Sequence, residues 1–181
     1  PARETGVNPA RERLAIASAA RSVRTFVQKH EGWTPAIPAY VKYPPRGLLP
    51  TLDVSGVCSP WLLAAHVAAG FPPVARIATA VHELAHLVGY NGEADAEYVM
   101  LAAGLAADDP LVRYATALDG LRSIGGASGS VWRDIQRELP ATAVRDCQEI
   151  RDAVVRHKVE VVADVSWAVY EGYLQTQGVA S

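Results

Sequence analysis

His82 and His86 stand four residues apart in the run His82-Glu83-Leu84-Ala85-His86. On a helix that spacing puts both imidazoles on one face, one turn apart, where they can share a metal ion. Glu83 lies at the edge of that face. Its carboxylate can reach a water on the metal but is poorly placed to be a ligand. Zinc lowers the pKa of a bound water to about 7, and a neighbouring carboxylate takes the proton as that water attacks. The pattern is therefore that of metal-assisted hydrolysis. The flanking residues Ile77, Ala78, Ala80, Val81, Leu84, Ala85, Leu87 and Val88 are apolar. Two histidines and a glutamate in such a helix are costly without partners, and a metal supplies one.

A catalytic zinc site takes three protein ligands, so a third must come from elsewhere. Gly89 follows His86 by three residues and can adopt the left-handed conformation that ends a helix. Tyr90-Asn91-Gly92 completes a tight turn, and the next helix must fold back beside the first. Its opening turn carries Glu93, Asp95 and Glu97. Glu93 and Glu97 share one face. We assign Glu93 as the third ligand and Glu97 as the acid that accepts a hydrogen bond from a ligating histidine. Asp95 is the alternative ligand. Acids in a first turn are also favoured by the helix dipole alone.

The elements that must position these groups are mostly helical. Asn8-Pro9 is a cap followed by proline at the first helical position, and apolar spacing continues to about Lys29. Gly32 ends that helix. A proline-rich segment over 35–50 reads as loop. A short strand is expected over 52–58, and a second strand, or else a helical turn, over 61–69. Helices are expected over about 74–88, 93–107, 109–124, 131–139 (capped by Ser130), 142–157 and 158–176, with a loop at 125–129. The fold class is mainly α with a small β-sheet (α+β), and residues 1–181 read as a single domain. Trp132 and Trp167 read as core. His66 reads as a satisfied core histidine, with a cleft position as the other option, and His157 as a surface residue at a helix end.

Length and composition suit one soluble core: 181 residues, 50% hydrophobic and 20% charged. A net charge of -2 implies no broad basic surface, so nucleic acid is not an expected partner. No stretch is long and apolar enough to span a bilayer; residues 60–81 are interrupted by His66, Gly70, Pro72-Pro73 and Arg76. No signal peptide is visible. The chain begins at Pro1 without a methionine, and we expect it to be the soluble part of a longer protein. Cys58 and Cys147 are expected as two buried thiols, a single disulfide being the alternative.

Glu93-x-x-Ala96-Glu97 is similar to the Glu-x-x-(Ala/Ser)-(Asp/Asn) signature of gluzincin metallopeptidases, with Glu97 where Asp or Asn is usual. The chain more closely resembles a bacterial family, domain of unknown function 3810. The resemblance rests on His82-Glu83-Leu84-Ala85-His86 with Gly89-Tyr90, Glu93 to Glu97, Asp108-Asp109 with Arg113-Tyr114, and Val169-Tyr170-Glu171-Gly172-Tyr173-Leu174-Gln175. It implies a zincin-like domain: a His-Glu-x-x-His helix, a tight turn and an acidic ligand helix. It also implies anchoring in a membrane by segments outside this sequence, with the soluble domain extracytoplasmic. The chain departs from the family at 56–69, where a polar, acidic strand is usual and this chain reads Trp61-Leu62-Leu63-Ala64-Ala65-His66.

Amide hydrolysis builds negative charge on the carbonyl oxygen and calls for a donor beside the metal. Tyr170 and Tyr173, which recur in the resembling family's tail, are candidates, with core packing as their other reading; Tyr90 is a further one. The expectation is a zinc-dependent hydrolase, a metallopeptidase acting on a peptide or protein substrate with Glu83 as general base. The alternatives are a zincin-fold domain whose metal serves stability or partner binding, and a metal-dependent enzyme acting on a small non-peptide substrate. An open position on the metal favours an enzyme, a fourth protein ligand the structural role.

Overall fold

A computed structural model describes residues 7–157 apart from 46–47, 52–53 and 127–128. The expected helix over 158–176, with Trp167, Tyr170 and Tyr173, lies outside the described residues. Helix α1 (Pro9–Glu31) starts where Asn8 accepts a hydrogen bond from the Arg11 amide at 2.8 Å, and it ends at Gly32. Ala15, Ile16, Ala19, Ala20, Val23 and Val27 recur at helical spacing and form its buried stripe.

Helix α3 (Pro73–Leu87) is the centre of the fold. It packs against α1, against α4 (Glu93–Leu105), against α5 (Pro110–Gly126), and against a β-hairpin. Being covered on so many sides, it buries residues all round, with Ile77, Val81 and Leu84 fully enclosed. Helices α6 (Gly129–Glu138) and α7 (Ala141–His157) follow. The architecture is mainly helical with a two-stranded antiparallel sheet. Among the described residues, no helix is long and apolar enough to cross a membrane.

The hairpin is shorter than the sequence suggests. Strand β1 is Gly56–Ser59 and strand β2 is Ala64–Val67, in the register Gly56↔Val67 to Ser59↔Ala64. Among the described residues of the first expected strand, 54 and 55 lie outside β1, and the stretch 61–69 opens on a helical turn before its strand begins. Pro60 is the reason: it has no amide hydrogen for the ladder, and it opens a 3-10 turn, Pro60–Leu62. Leu63 completes the connection at φ 43°. The loop expected over 35–50 contains the short helix α2 (Leu48–Thr51) near its end. Helix α5 runs on through two glycines to Gly126, and α6 starts at Gly129 rather than after Ser130.

Three further expectations need adjustment. Trp132 is only half-buried and packs at the margin of the core, because α6 has no buried residue of its own. Both cysteines are free thiols; Cys147 is buried and Cys58 only half-buried. His66 is half-buried on β2, and its Nδ1 is enclosed with no hydrogen-bond partner among the described residues, so it is not a satisfied core histidine.

Two ion pairs tie α1 to the rest. Arg11 holds Asp109 at the start of α5. More deeply placed, Arg76 of α3 grips both carboxylate oxygens of Glu12, with Nε to Oε1 at 2.8 Å, and the Tyr43 hydroxyl donates to the same Oε1 at 2.6 Å. These residues form part of the lining of a cavity of about 530 Å³. The cavity shares no residue with the histidine face of α3.

Candidate metal centre

Helix α3 ends at Leu87, and Gly89 takes φ 104°, a conformation that side-chain-bearing residues rarely adopt. The chain turns there, and the Tyr90 amide reaches back to the Ala85 carbonyl at 3.3 Å. The small residues Ala85 and Ala96 then meet in a satellite cluster with Val99, packed against by Phe26 and Tyr90. Small side chains let the α3 and α4 backbones approach closely. The opening turn of α4 is thereby delivered to the histidines.

The result is a convergence of donor atoms from three residues. His82 Nε2 and His86 Nε2 are 3.0 Å apart. Glu93 Oε2 lies 3.2 Å from His82 Nε2, and its Oε1 lies 3.6 Å from His86 Nε2. Zinc bound tetrahedrally at about 2.0–2.1 Å separates neighbouring ligand atoms by about 3.3 Å. The three separations, two of them to different oxygens of Glu93, bracket that value, so the residues present fit the ion. Asp95, the alternative ligand, lies outside this group.

The outer nitrogens are also engaged. His86 Nδ1 lies 2.7 Å from the Tyr90 carbonyl oxygen and donates to it, which leaves Nε2 as the atom with a free lone pair. His82 Nδ1 lies 3.7 Å from Glu97 Oε2. Ser123 of α5 donates to the other oxygen of Glu97 at 3.2 Å. Sequence reasoning missed Ser123, and it missed the half-buried Asp119 one turn before it, whose carboxyl is pushed up by burial, drawn down by Arg122 and raised by Glu97. The i,i+4 pairing of Asp119 and Ser123 was a usable signal once α5 was known to pack on α4. Tyr90 contributes its carbonyl rather than its phenol, which donates to Glu31 of α1 at 3.0 Å.

The acids around His82 favour positive charge at that point of the site. Burial works against a charged His82, but hydrogen bonds to Glu93 and Glu97 and the field of Glu83 win, and its pKa is raised to about 10. In the ion-free protein a proton on His82 offsets the acids. The carboxyl of Glu97 is held below its usual range, chiefly by His82. Glu83 is only 5% exposed. Burial pushes its carboxyl up to about 7, the two imidazoles pull it back, and Glu93 pushes it up again. A dication between the imidazoles would favour the ionised form of Glu83.

Strand β1 closes the site over Glu83. An ideal Cβ on Gly56 would sit 2.6 Å from Glu83 Oε1 and 2.6 Å from Thr79 Cγ2. Only glycine lets the strand lie this close. Gly56→Ala must displace either the hairpin or the glutamate, at a cost of about 1–3 kcal/mol. The check is a lower denaturant midpoint for the metal-free protein. An unchanged midpoint would mean that the hairpin shifts without cost.

No curated protein and no solved structure matches this chain. A family model described as "Protein of unknown function (DUF3810)" matches residues 7–181.

Proposed function

The chain belongs to this DUF3810 family, whose description assigns no activity, and we propose that it is a zinc-dependent hydrolase, a metallopeptidase cleaving peptide bonds. The observation that carries the reading is the convergence of His82 Nε2, His86 Nε2 and a Glu93 oxygen, beside the buried carboxyl of Glu83. A zinc ion held there supplies Lewis acidity toward water and carbonyl oxygen.

The chain's own residues then have distinct tasks. His82 and His86 present Nε2 lone pairs, oriented by Glu97 and by the Tyr90 carbonyl. Glu93 adds the single negative charge of the ligand set. Glu83 accepts the proton of the attacking water and returns it to the leaving amine. Tyr170 and Tyr173 remain the proposed donors to the carbonyl oxygen. The peptide as substrate, the zincin-like fold and a membrane-anchored, extracytoplasmic setting rest on the family resemblance, whereas water activation rests on the site.

Metal analysis tests the ligand set. The purified chain is expected to hold about one zinc ion, with His82→Ala and Glu93→Ala losing it on dialysis. Glu97→Gln should keep the ion but weaken its binding by roughly 10–100-fold. Full zinc retention by Glu93→Ala would remove Glu93 from the ligand set.

A further inference from the structure

The hairpin that closes the site ends in an exposed apolar tip. Trp61 is 88% exposed, Leu62 67% and Leu63 64%. The strands behind them bury Ala64, Ala65 and Val67 against the core and leave Val57 of β1 43% exposed, so the apolar exposure is greatest at the connection. Leu63 also holds a left-handed backbone, φ 43°, a position where glycine or asparagine is ordinary. Packing within the chain explains neither the exposure nor the choice of three large apolar residues.

Three observations decide what such a tip fits. The first is direction. A 3-10 turn has about three residues per turn, so consecutive side chains point roughly 120° apart. Leu63 follows that turn in a left-handed backbone, so the three side chains do not share one face, and a fluid apolar medium can surround all of them. The second is area. One Trp and two Leu at these exposures offer roughly 400 Å², about half of the ~800 Å² that each partner contributes to a stable protein interface. The third is charge. Residues 54–75 contain no Asp, Glu, Lys or Arg, so nothing on the hairpin resists entry into an apolar phase.

A cation stands at the matching depth. Lys42 is exposed and forms a parallel bridge with His66, its amide donating to the Ala65 carbonyl at 2.8 Å. His66 follows Leu63 by three residues, and a strand rises about 3.3 Å per residue, which sets Lys42 about 10 Å behind the tip. Apolar segments lying in a membrane interface reach about 5–10 Å into it, which leaves Lys42 level with the lipid phosphates. Tryptophan is the residue favoured at that boundary.

We infer that residues 60–63 dock this chain onto a phospholipid bilayer, with Trp61, Leu62 and Leu63 entering the interface and Lys42 meeting anionic headgroups. The inference does not depend on the metal reading. It has a consequence for it, because Gly56 on the same hairpin lies against Glu83, so docking sets the candidate site beside the lipid surface.

The test is co-sedimentation of the full chain with vesicles of phosphatidylcholine and phosphatidylglycerol. The wild type is expected to bind. The Trp61→Ser, Leu62→Ser, Leu63→Ser triple variant should lose at least about a hundredfold in partitioning, since each buried large apolar side chain is worth about tenfold or more. These residues are exposed, so its far-UV circular dichroism and zinc content should be unchanged. Brominated acyl chains should quench the wild type's fluorescence, and Trp61→Phe should bind while losing that quenching. Lys42→Ala should weaken binding about fivefold on anionic vesicles and leave pure phosphatidylcholine unaffected. The proposal fails if the wild type pellets no more than the triple variant. It fails equally if the wild type ignores vesicles but self-associates through the tip in sedimentation velocity, which would assign the tip to a second copy.

Discussion

Glu83→Gln is expected to fold, to bind zinc, and to lower kcat by about 10²–10⁴-fold on any peptide the wild type cleaves. The substitution keeps shape and volume at a position 5% exposed, so packing against Gly56 and Thr79 is retained. It removes only the ability to hold a proton. Glu83 is not one of the converging donor atoms, so zinc content should not change. Stopped assays on zinc-loaded protein, normalised to metal content, give the comparison. Full activity in the Gln variant would take Glu83 out of the proton transfer.

The same variant has an effect on stability that needs no substrate. In the ion-free protein, burial raises the folded pKa of Glu83 to about 7, above the ordinary carboxylate value. A raised acid binds its proton more tightly folded than unfolded. Stability is therefore lost as pH rises from about 4.5 through about 7. Glutamine carries no such penalty. Metal-free Glu83→Gln should be more stable than metal-free wild type at pH 8, and the gap should close near pH 4. A wild type that binds zinc, shows this pattern and cleaves no peptide would point instead to the non-catalytic reading, with the ion serving stability or partner binding.

The parts of the site that lie within one turn and its two flanking helices were legible in the sequence. His82 and His86 at i,i+4, Gly89 as the stop, and Glu93 and Glu97 on the next helix all follow from helical periodicity and the chirality of the backbone. What the sequence hid depends on contacts between distant segments. Ser123 and Asp119 approach Glu97 only because α5 packs on α4. Gly56 matters only because β1 lies against Glu83. The hairpin tip stayed open between strand and helical turn for a different reason. Trp61, Leu62 and Leu63 have strand-like chemistry, and an apolar run does not reveal whether it faces inward or out. Tyr90 illustrates the limit at single-residue scale: its nearness in sequence to His86 is real, yet its side chain faces α1 and its carbonyl faces the histidine.

Arg76→Met is expected to cost about 3 kcal/mol at pH 7, the largest stability loss we foresee from one substitution. The Arg76 side chain is 19% exposed, whereas the Glu12 side chain it holds is 6% exposed. Removing the cation therefore strands a buried anion, left with Tyr43 as its hydrogen-bond donor. It also deprives the Phe71 carbonyl of its donor. The pH dependence identifies the cause. Burial pushes the Glu12 carboxyl up, but hydrogen bonds from Arg76 and Tyr43 and the Arg76 charge outweigh it, so the folded value lies below the ordinary one. In the wild type this contribution is present above the unfolded pKa and is lost as pH falls through the depressed folded value. Without Arg76 burial dominates, the folded pKa rises, and the variant loses stability as pH climbs above about 4.5. The deficit measured by denaturant unfolding should thus be large at pH 7 and shrink toward pH 4, where Glu12 is neutral in the variant. Glu12→Gln combined with Arg76→Met should recover part of the loss at pH 7, because no buried anion is left unpaired. A deficit equal at both pH values, with no recovery in the double variant, would mean that Arg76 holds α3 through its aliphatic stem and the Phe71 carbonyl alone. Either outcome bears on the metal centre, since Arg76 fixes the first turn of the helix that carries His82 and His86.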